Sequence, residues 1–246
     1  MTANVSQLRW LWQEAFGDSD AFLEAFFATG FSPDRHNGIL ENGIAVSALY
    51  WFDCALEGQK LAYLYGIATA KSHRGQGFAH RLIEDTHEKL KQNGYAGAIL
   101  VPGGPSLFAF YEKMGYRTVS SVTEFSCTWG DTPVSLTQID AHRYAQLRKS
   151  YLPKGGVVQE GETLCYLQTQ ARFYAGKAVL LAAAVDGGTL TAQELLGNPQ
   201  AAPGILQALN IPKGQFRIPG PDRPFAMFYP LEKDCPRPSY FGLALD

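Results

Sequence analysis

The apolar positions change period several times along the chain, and those changes mark out its elements. Leu8, Leu11, Trp12, Ala15 and Phe16 recur at helical spacing, and after Gly17-Asp18-Ser19-Asp20 the spacing returns with Phe22, Leu23, Phe26 and Phe27. Two amphipathic helices are expected, the second capped by Asp18 or Ser19, with its phenylalanines assigned to the core. Gly38-Ile39-Leu40 and 44–53 then flank Asn42-Gly43, a pair that supplies the positive φ angles of a tight hairpin turn. Glu57-Gly58 turns the chain again into an apolar run over 61–69, so three antiparallel strands are predicted.

A polar link follows, and Phe78, Ala79, Leu82, Ile83, Thr86 and Leu90 trace a longer helix that Asn93-Gly94 stops. The buried-strand pattern at 98–101 lies beyond a helical crossover and is predicted parallel to the strand before it. Pro102-Gly103-Gly104-Pro105 breaks the chain, 106–114 reads as a short helix ending at Gly115, and 116–119 and 122–129 read as closing strands. Asp131-Thr132-Pro133 is a turn-rich link, which divides the chain into domains 1–130 and 134–246. Within the second, helices at 139–151 and 162–174, strands at 178–185 and 189–196, a helix at 201–209 and strands at 216–218 and 225–231 repeat the order of the first. A faint echo in letters accompanies the repeat: Val101-Pro102-Gly103 with Phe108-Ala109 recurs as Ile218-Pro219-Gly220 with Phe225-Ala226.

Composition narrows the class. With 246 residues, 46% hydrophobic and 18% charged, the chain can build a core and has room for two small domains. Its net charge of −2, from 21 basic and 23 acidic residues, gives no bulk attraction to nucleic acid or to a membrane surface. Cys54, Cys127, Cys165 and Cys235 lie far apart without a C-x-x-C pair, which argues against a zinc ribbon or a redox motif. Neither a leader-like amino terminus nor an uncharged apolar run of about 18 residues occurs, so a soluble cytoplasmic protein is expected.

The chemistry concentrates where the strand at 61–69 meets the helix beginning at Phe78. The first turn of a helix has unpaired N–H groups and the positive end of the helix dipole, and glycines let a phosphate approach the backbone. A dinucleotide turn would need a third glycine where His80 stands, and no P-loop string is present. What stands there is Arg-x-x-Gly-x-Ala, at Arg74, Gly77 and Ala79, followed downstream by Phe110-Tyr111-Glu112-Lys113-Met114-Gly115-Tyr116. His80, Glu84 and His87 also share helical spacing, and a solvated outer face is the expected reading of them rather than a metal pair.

These two signatures, in this order, resemble those of the GCN5-related N-acetyltransferases (GNAT), Q/R-x-x-G-x-G/A between a strand and a long helix and then F/L-Y-E-K-x-G-F. The resemblance implies an α/β acyl-CoA N-acyltransferase fold, a mixed central sheet flanked by helices, with a second, degenerate GNAT-like lobe that has lost its own site. It implies acetyl-CoA as the acyl donor, no metal, and direct transfer to a small-molecule or peptide amine. No nucleic acid or membrane partner is expected, and the protein would be a monomer or homodimer; a catalytically silent CoA-binding or CoA-sensing module is the alternative. By the same resemblance, the backbone of Ile67, Ala68 and Thr69 would hold the pantetheine arm and carbonyl. Arg74, Gly75, Gln76, Gly77, Phe78 and Ala79 would bind pyrophosphate, and Tyr111 would protonate the departing thiolate. Where the family often has an asparagine that contacts CoA this chain has Gly104, so that contact is lost or moves to Ser106. No general base is identifiable: Tyr63 and Tyr65 cannot serve as carboxylates, and Asp53, Glu41 and Asp246 are weak candidates. Trp10, Trp12, Tyr50 and Trp51 are candidates for an apolar acceptor cleft or for the core. The ending Tyr240 to Asp246 is apolar, with two readings open, a segment that packs down and, as the stronger expectation, a solvated terminus.

Overall fold

The computed structural model describes residues 4–245. Helix α1 (Val5–Phe16) starts where the Asn4 side-chain oxygen accepts from the Gln7 N–H at 2.9 Å, and ends at Gly17 in the left-handed conformation. Ser19, not Asp18, caps α2 (Asp20–Ala25), which runs into one wider turn over Phe26–Gly30. Strands β1 (His36–Glu41), β2 (Ile44–Leu56) and β3 (Gln59–Thr69) form the antiparallel meander, with Asn42-Gly43 and Glu57-Gly58 at positive φ in its two turns. Helix α3 (Phe78–Gln92) crosses to β4 (Gly97–Leu100), which pairs parallel with β3, and α4 (Pro105–Lys113) leads to β5 (Arg117–Thr128).

The second stretch continues with β6 (Leu136–Ile139), α5 (Ala141–Tyr151), β7 (Val158–Gln159), α6 (Glu162–Leu167), β8 (Arg172–Gly176), β9 (Val179–Asp186) and β10 (Thr189–Gly197). It closes with α7 (Ala202–Leu209), β11 (Lys213–Pro219) and β12 (Arg223–Pro230). Two readings of the sequence are corrected. The span 162–174 is half helix and half strand, because Gln168-Thr169-Gln170 interrupts the helical spacing and Arg172 and Phe173 then alternate between exposed and buried. The closing strands at 116–119 and 122–129 are one strand, β5; Ser120 does not break it, because its buried Oγ both accepts from the Phe241 N–H and donates to the Phe241 carbonyl, each at 3.0 Å.

All these strands join one sheet in the order β1-β2-β3-β4-β12-β5-β11-β10-β9-β8-β6, with β7 pairing β2 off that path. β12 comes from the stretch after the 131–133 link yet lies between β4 and β5, both from the stretch before it. The β3–β4 parallel pair has a counterpart in β10–β11. The echo in letters follows this only halfway. Val101-Pro102-Gly103 and Ile218-Pro219-Gly220 both stand at the ends of those second parallel strands, but Phe108-Ala109 lies in α4 and Phe225-Ala226 in β12.

The segment Tyr240–Leu245 is buried rather than solvated, and Phe241 and Leu243 are wholly inside. Its backbone explains this: the Val157 N–H donates to the Tyr240 carbonyl at 2.9 Å, Gln159 Nε2 to the Leu243 carbonyl at 2.8 Å, and the Leu245 N–H to Tyr63 Oη at 3.2 Å. Asp246 lies outside the described residues. Among those residues no helix is long and apolar enough to cross a membrane.

His87 departs from the outer face expected for it. It points inward from α3, with Nε2 2.7 Å from Tyr116 Oη and its ring stacked on Tyr229 at 4.3 Å, while His80 and Glu84 pair outside. Burial lowers its pKa from 6.5 to about 4. The fold holds the neutral ring, so its contribution is complete above the unfolded pKa and is lost as pH falls from there toward the folded value. A loss of about 2 kcal/mol by pH 5 is expected. Denaturant midpoints at pH 7 and pH 5 check this: His87→Gln is expected to show a smaller fall than the parent chain.

Candidate active site

β3 and β4 pair over only three positions, Leu61 to Tyr63 against Gly97 to Ile99, and then diverge. The divergence coincides with a bulge: Ala48 pairs with Ala68 and Tyr50 with Tyr65, so Gly66 and Ile67 together oppose Leu49. Gly66 has φ 60, and a β-carbon on it would fall 2.5 Å from the Trp12 ring, so only glycine permits both the bulge and the indole beside it. Beyond the bulge, the Ala70 N–H donates to Val46 of β2 at 2.9 Å. By strand alternation the amides of Thr69 and Ile67 therefore face the opposite edge, past the end of the β4 pairing. Ile67 lines the resulting cleft. Ala68 is buried, its carbonyl accepting from Ser47 Oγ at 2.8 Å, so this residue braces the strand from the β2 side.

The glycine turn is held from both flanks. Glu14 of α1 accepts from the Lys71 N–H at 3.0 Å, and His73 Nε2 lies 2.8 Å from Glu41 Oε2 at the end of β1. Arg74 Nε donates to the Thr69 carbonyl at 3.1 Å and Gln76 Nε2 to the Ser72 carbonyl at 3.0 Å, so both side chains fold back on the turn. Gly75 and Gly77 are left-handed, at φ 75 and 84, with nothing within 4 Å of where a β-carbon would stand. Gly77 caps α3 without a side-chain hydrogen bond, and no acidic residue occupies the first turn. The amides at Phe78 and Ala79 are thus among the unpaired donors of an open helix start, which suits a phosphate.

Tyr111 closes the other side. It sits in the last turn of α4, 7% exposed, with Phe110 and Tyr116 packed edge-on at 5.1 and 5.7 Å. Burial pushes its pKa up to about 12, which keeps the phenol protonated at neutral pH. The cleft between these elements has a volume of about 1040 Å³. Trp12, Phe16 and Phe22 line it from the helices, Tyr63, Tyr65 and Ile67 from β3, and Gly104, Pro105 and Tyr111 from the α4 side.

Several residues fall differently from expectation. Ser106 is exposed on the first turn of α4 and does not line the cleft; the chain passes the cleft at Gly103, Gly104 and Pro105. Phe22 packs against the core and also lines the cleft, whereas Tyr50 and Trp51 are core and Trp10 is exposed. Of the three candidate bases, Glu41 and Asp53 do not line the cleft, Glu41 being engaged by His73 and Asp53 accepting from Tyr95 Oη at 2.5 Å beside Lys60, and Asp246 lies outside the described residues. The sequence reading missed Gly66, Asp18, Gln170, Arg223, Phe225, Ala244 and Leu245, all of which line the cleft. Only Gly66 carried a usable signal, as an isolated glycine inside a strand pattern.

The surroundings of the second parallel pair, β10–β11, are packed differently from those of β3–β4. The start of α7 is covered by the link: the Gly130 N–H donates to the Pro203 carbonyl at 3.0 Å and the Val134 N–H to the Gly204 carbonyl at 3.2 Å. A β-carbon on Gly204 would fall 2.8 Å from the Thr132 carbonyl. Next to β10, the buried pair Arg148–Glu194 and the Tyr240 hydroxyl occupy the interior.

A mixed sheet that opens between two parallel strands, beside a glycine-rich helix start, defines the acyl-CoA N-acyltransferase class of fold. Residues 2–119, just under half of the chain, match the acetyltransferase (GNAT) domain. Among solved structures, a GCN5-related N-acetyltransferase from Kribbella flavida is similar at a TM-score of 0.71 and 16% identity, over 94% of this chain and 71% of that one. One from Anabaena variabilis is similar at a TM-score of 0.72 and 14% identity, over the same shares, 94% and 71%. A tandem GNAT protein from the clavulanic acid biosynthesis pathway aligns over 96% of this chain and 98% of its own, at a TM-score of 0.57 and 12% identity. No curated protein sequence matches the chain.

Proposed function

We propose that this protein transfers an acetyl group from acetyl-CoA to an amine by direct attack, with the β3–β4 cleft as the only acyl-CoA site of the chain. The observation that carries the reading is the meeting, in one cleft, of a bulged strand edge with free amides and a buried, protonated Tyr111. The open start of α3 suits the pyrophosphate, and the edge of β3 at Ile67 and Thr69 suits the pantetheine arm and the thioester carbonyl. The amine nitrogen forms the new bond to the carbonyl carbon, the carbon–sulfur bond breaks, the thiolate takes the Tyr111 proton, and the amine gives up one proton to water. The departing thiolate, whose thiol has a pKa of about 8.5, is a weaker base than the phenolate, so Tyr111 donates only as sulfur charge develops and is reprotonated from solvent.

The stretch 134–246 is proposed as a degenerate copy of the same lobe, without a site of its own, that walls the cleft through β12 and the Tyr240–Leu245 segment. The test is release of CoA thiol from acetyl-CoA with and without added amines. Amine-dependent release supports the enzyme; tight acetyl-CoA binding with no release in a broad amine screen supports a binding module instead.

A further inference from the structure

The wall of the cleft facing Tyr111 is aromatic and carries one carboxylate. Trp12 packs against Phe16, Phe22 and Tyr65 at centroid distances of 5.4, 6.1 and 5.4 Å, and its Nε1 donates to Asp18 Oδ2 at 2.8 Å. That bond fixes the carboxylate against the indole edge, and among the described residues its other oxygen has no hydrogen-bond partner. Asp18 has no ion pair among the described residues, although it lines the cleft. A carboxylate at an apolar wall without a cation is the complement of a cationic ligand group.

Its distance from the reacting centre decides which group. The far edge of the same indole, Cζ3 and Cη2, abuts the Gly66 bulge, while Nε1 holds Asp18. The width of an indole therefore separates Asp18 from the amides beside Ile67, so the carboxylate is set back from the nitrogen that attacks the thioester. Among the described residues, the remaining charges in the cleft are Glu112 on α4 and Arg223 on β12, whose guanidinium lies 2.5 Å from Glu124. Two carboxylates on opposite walls and one guanidinium do not suit a string of ammonium groups.

Resting on the acetyl-transfer reading above, we infer that the acceptor is a diamine with an apolar or aromatic spacer. One nitrogen attacks as the neutral amine, and the other stays protonated on Asp18 with the spacer lying against Trp12, Phe16 and Phe22.

The test compares m-xylylenediamine, benzylamine and spermine as acceptors, in the parent chain and in Asp18→Asn, where the amide oxygen can still accept from Trp12. In the parent, kcat/KM for the aryl diamine is expected to exceed that for benzylamine by about tenfold or more, with spermine below the diamine. In Asp18→Asn that advantage collapses through KM, with acetyl-CoA affinity unchanged. Calorimetric binding of the same amines to the CoA-loaded protein gives the parallel readout without catalysis. A diamine preference in binding that Asp18→Asn abolishes supports the inference even if no amine is acetylated, an outcome that would sink the transfer reading alone. Equal binding of benzylamine and the diamine, a preference for spermine, or a diamine preference that survives Asp18→Asn overturns it.

Discussion

Tyr111→Phe is expected to lower kcat by roughly 10²- to 10⁴-fold while leaving acetyl-CoA affinity within about twofold. The change removes one oxygen and keeps a ring that is 7% exposed and packs edge-on against Phe110 and Tyr116. A purely structural tyrosine at this position would show its loss in stability and hardly at all in turnover. The raised pKa sharpens the expectation: with the phenol near 12, activity in the parent chain is not expected to fall through loss of this proton below about pH 11. Steady-state kinetics alongside calorimetric titration of acetyl-CoA separates the two cases. Unchanged kcat would remove Tyr111 from the chemistry and leave an acid-independent transfer or no transfer at all.

Arg148→Ala is expected to destabilise the chain by about 3–5 kcal/mol. Arg148 is 1% and Glu194 0% exposed, and they meet through two parallel bonds, Nε at 2.7 Å and Nη2 at 2.9 Å. Tyr144 and Tyr240 each donate a hydroxyl to the same carboxylate at 3.0 Å. Removing the guanidinium leaves a buried carboxylate without its cation, which costs far more than the pair itself contributes. The double variant Arg148→Met with Glu194→Leu is accordingly expected to recover much of the loss, and denaturant midpoints of the three variants would show it. The network also reaches the cleft. Arg148 Nη1 donates to the Val157 carbonyl, the Val157 N–H donates to Tyr240, and the chain from Tyr240 runs on to Ala244 and Leu245 in the cleft wall. A loss below about 1 kcal/mol would mean that this pair does not hold the segment in place.

The meander before the cleft was legible because local chemistry dictates it: Asn42-Gly43 and Glu57-Gly58 take the positive φ angles their residues signal, and the α3 stripe of Leu82, Ile83, Thr86 and Leu90 is the buried one. The candidate site residues 67–69, 74–79 and Tyr111 were reached through the resemblance, since a glycine turn alone says only that an anion fits. What was not legible depends on contacts distant in sequence. The insertion of β12 between β4 and β5 is a choice of partner that no alternation pattern encodes. Arg148 and Glu194 are 46 positions apart, and no local pattern pairs them before the fold brings them together. Asp18 and Ser19 both read as possible helix caps; Ser19 takes that role and leaves Asp18 for the cleft. The Tyr240–Leu245 segment has too few residues to show a period, and its burial rests on partners at Ser120, Val157 and Gln159.

The central claim, one acyl-CoA site per chain in the β3–β4 cleft, is tested most directly by calorimetric titration of the intact protein with acetyl-CoA, in the parent and in Gly77→Val. The account predicts one equivalent bound per chain, and a large loss of affinity in the variant, because valine at φ 84 is strained and fills the open space before α3. Two equivalents per chain, or undiminished affinity in Gly77→Val, would contradict it.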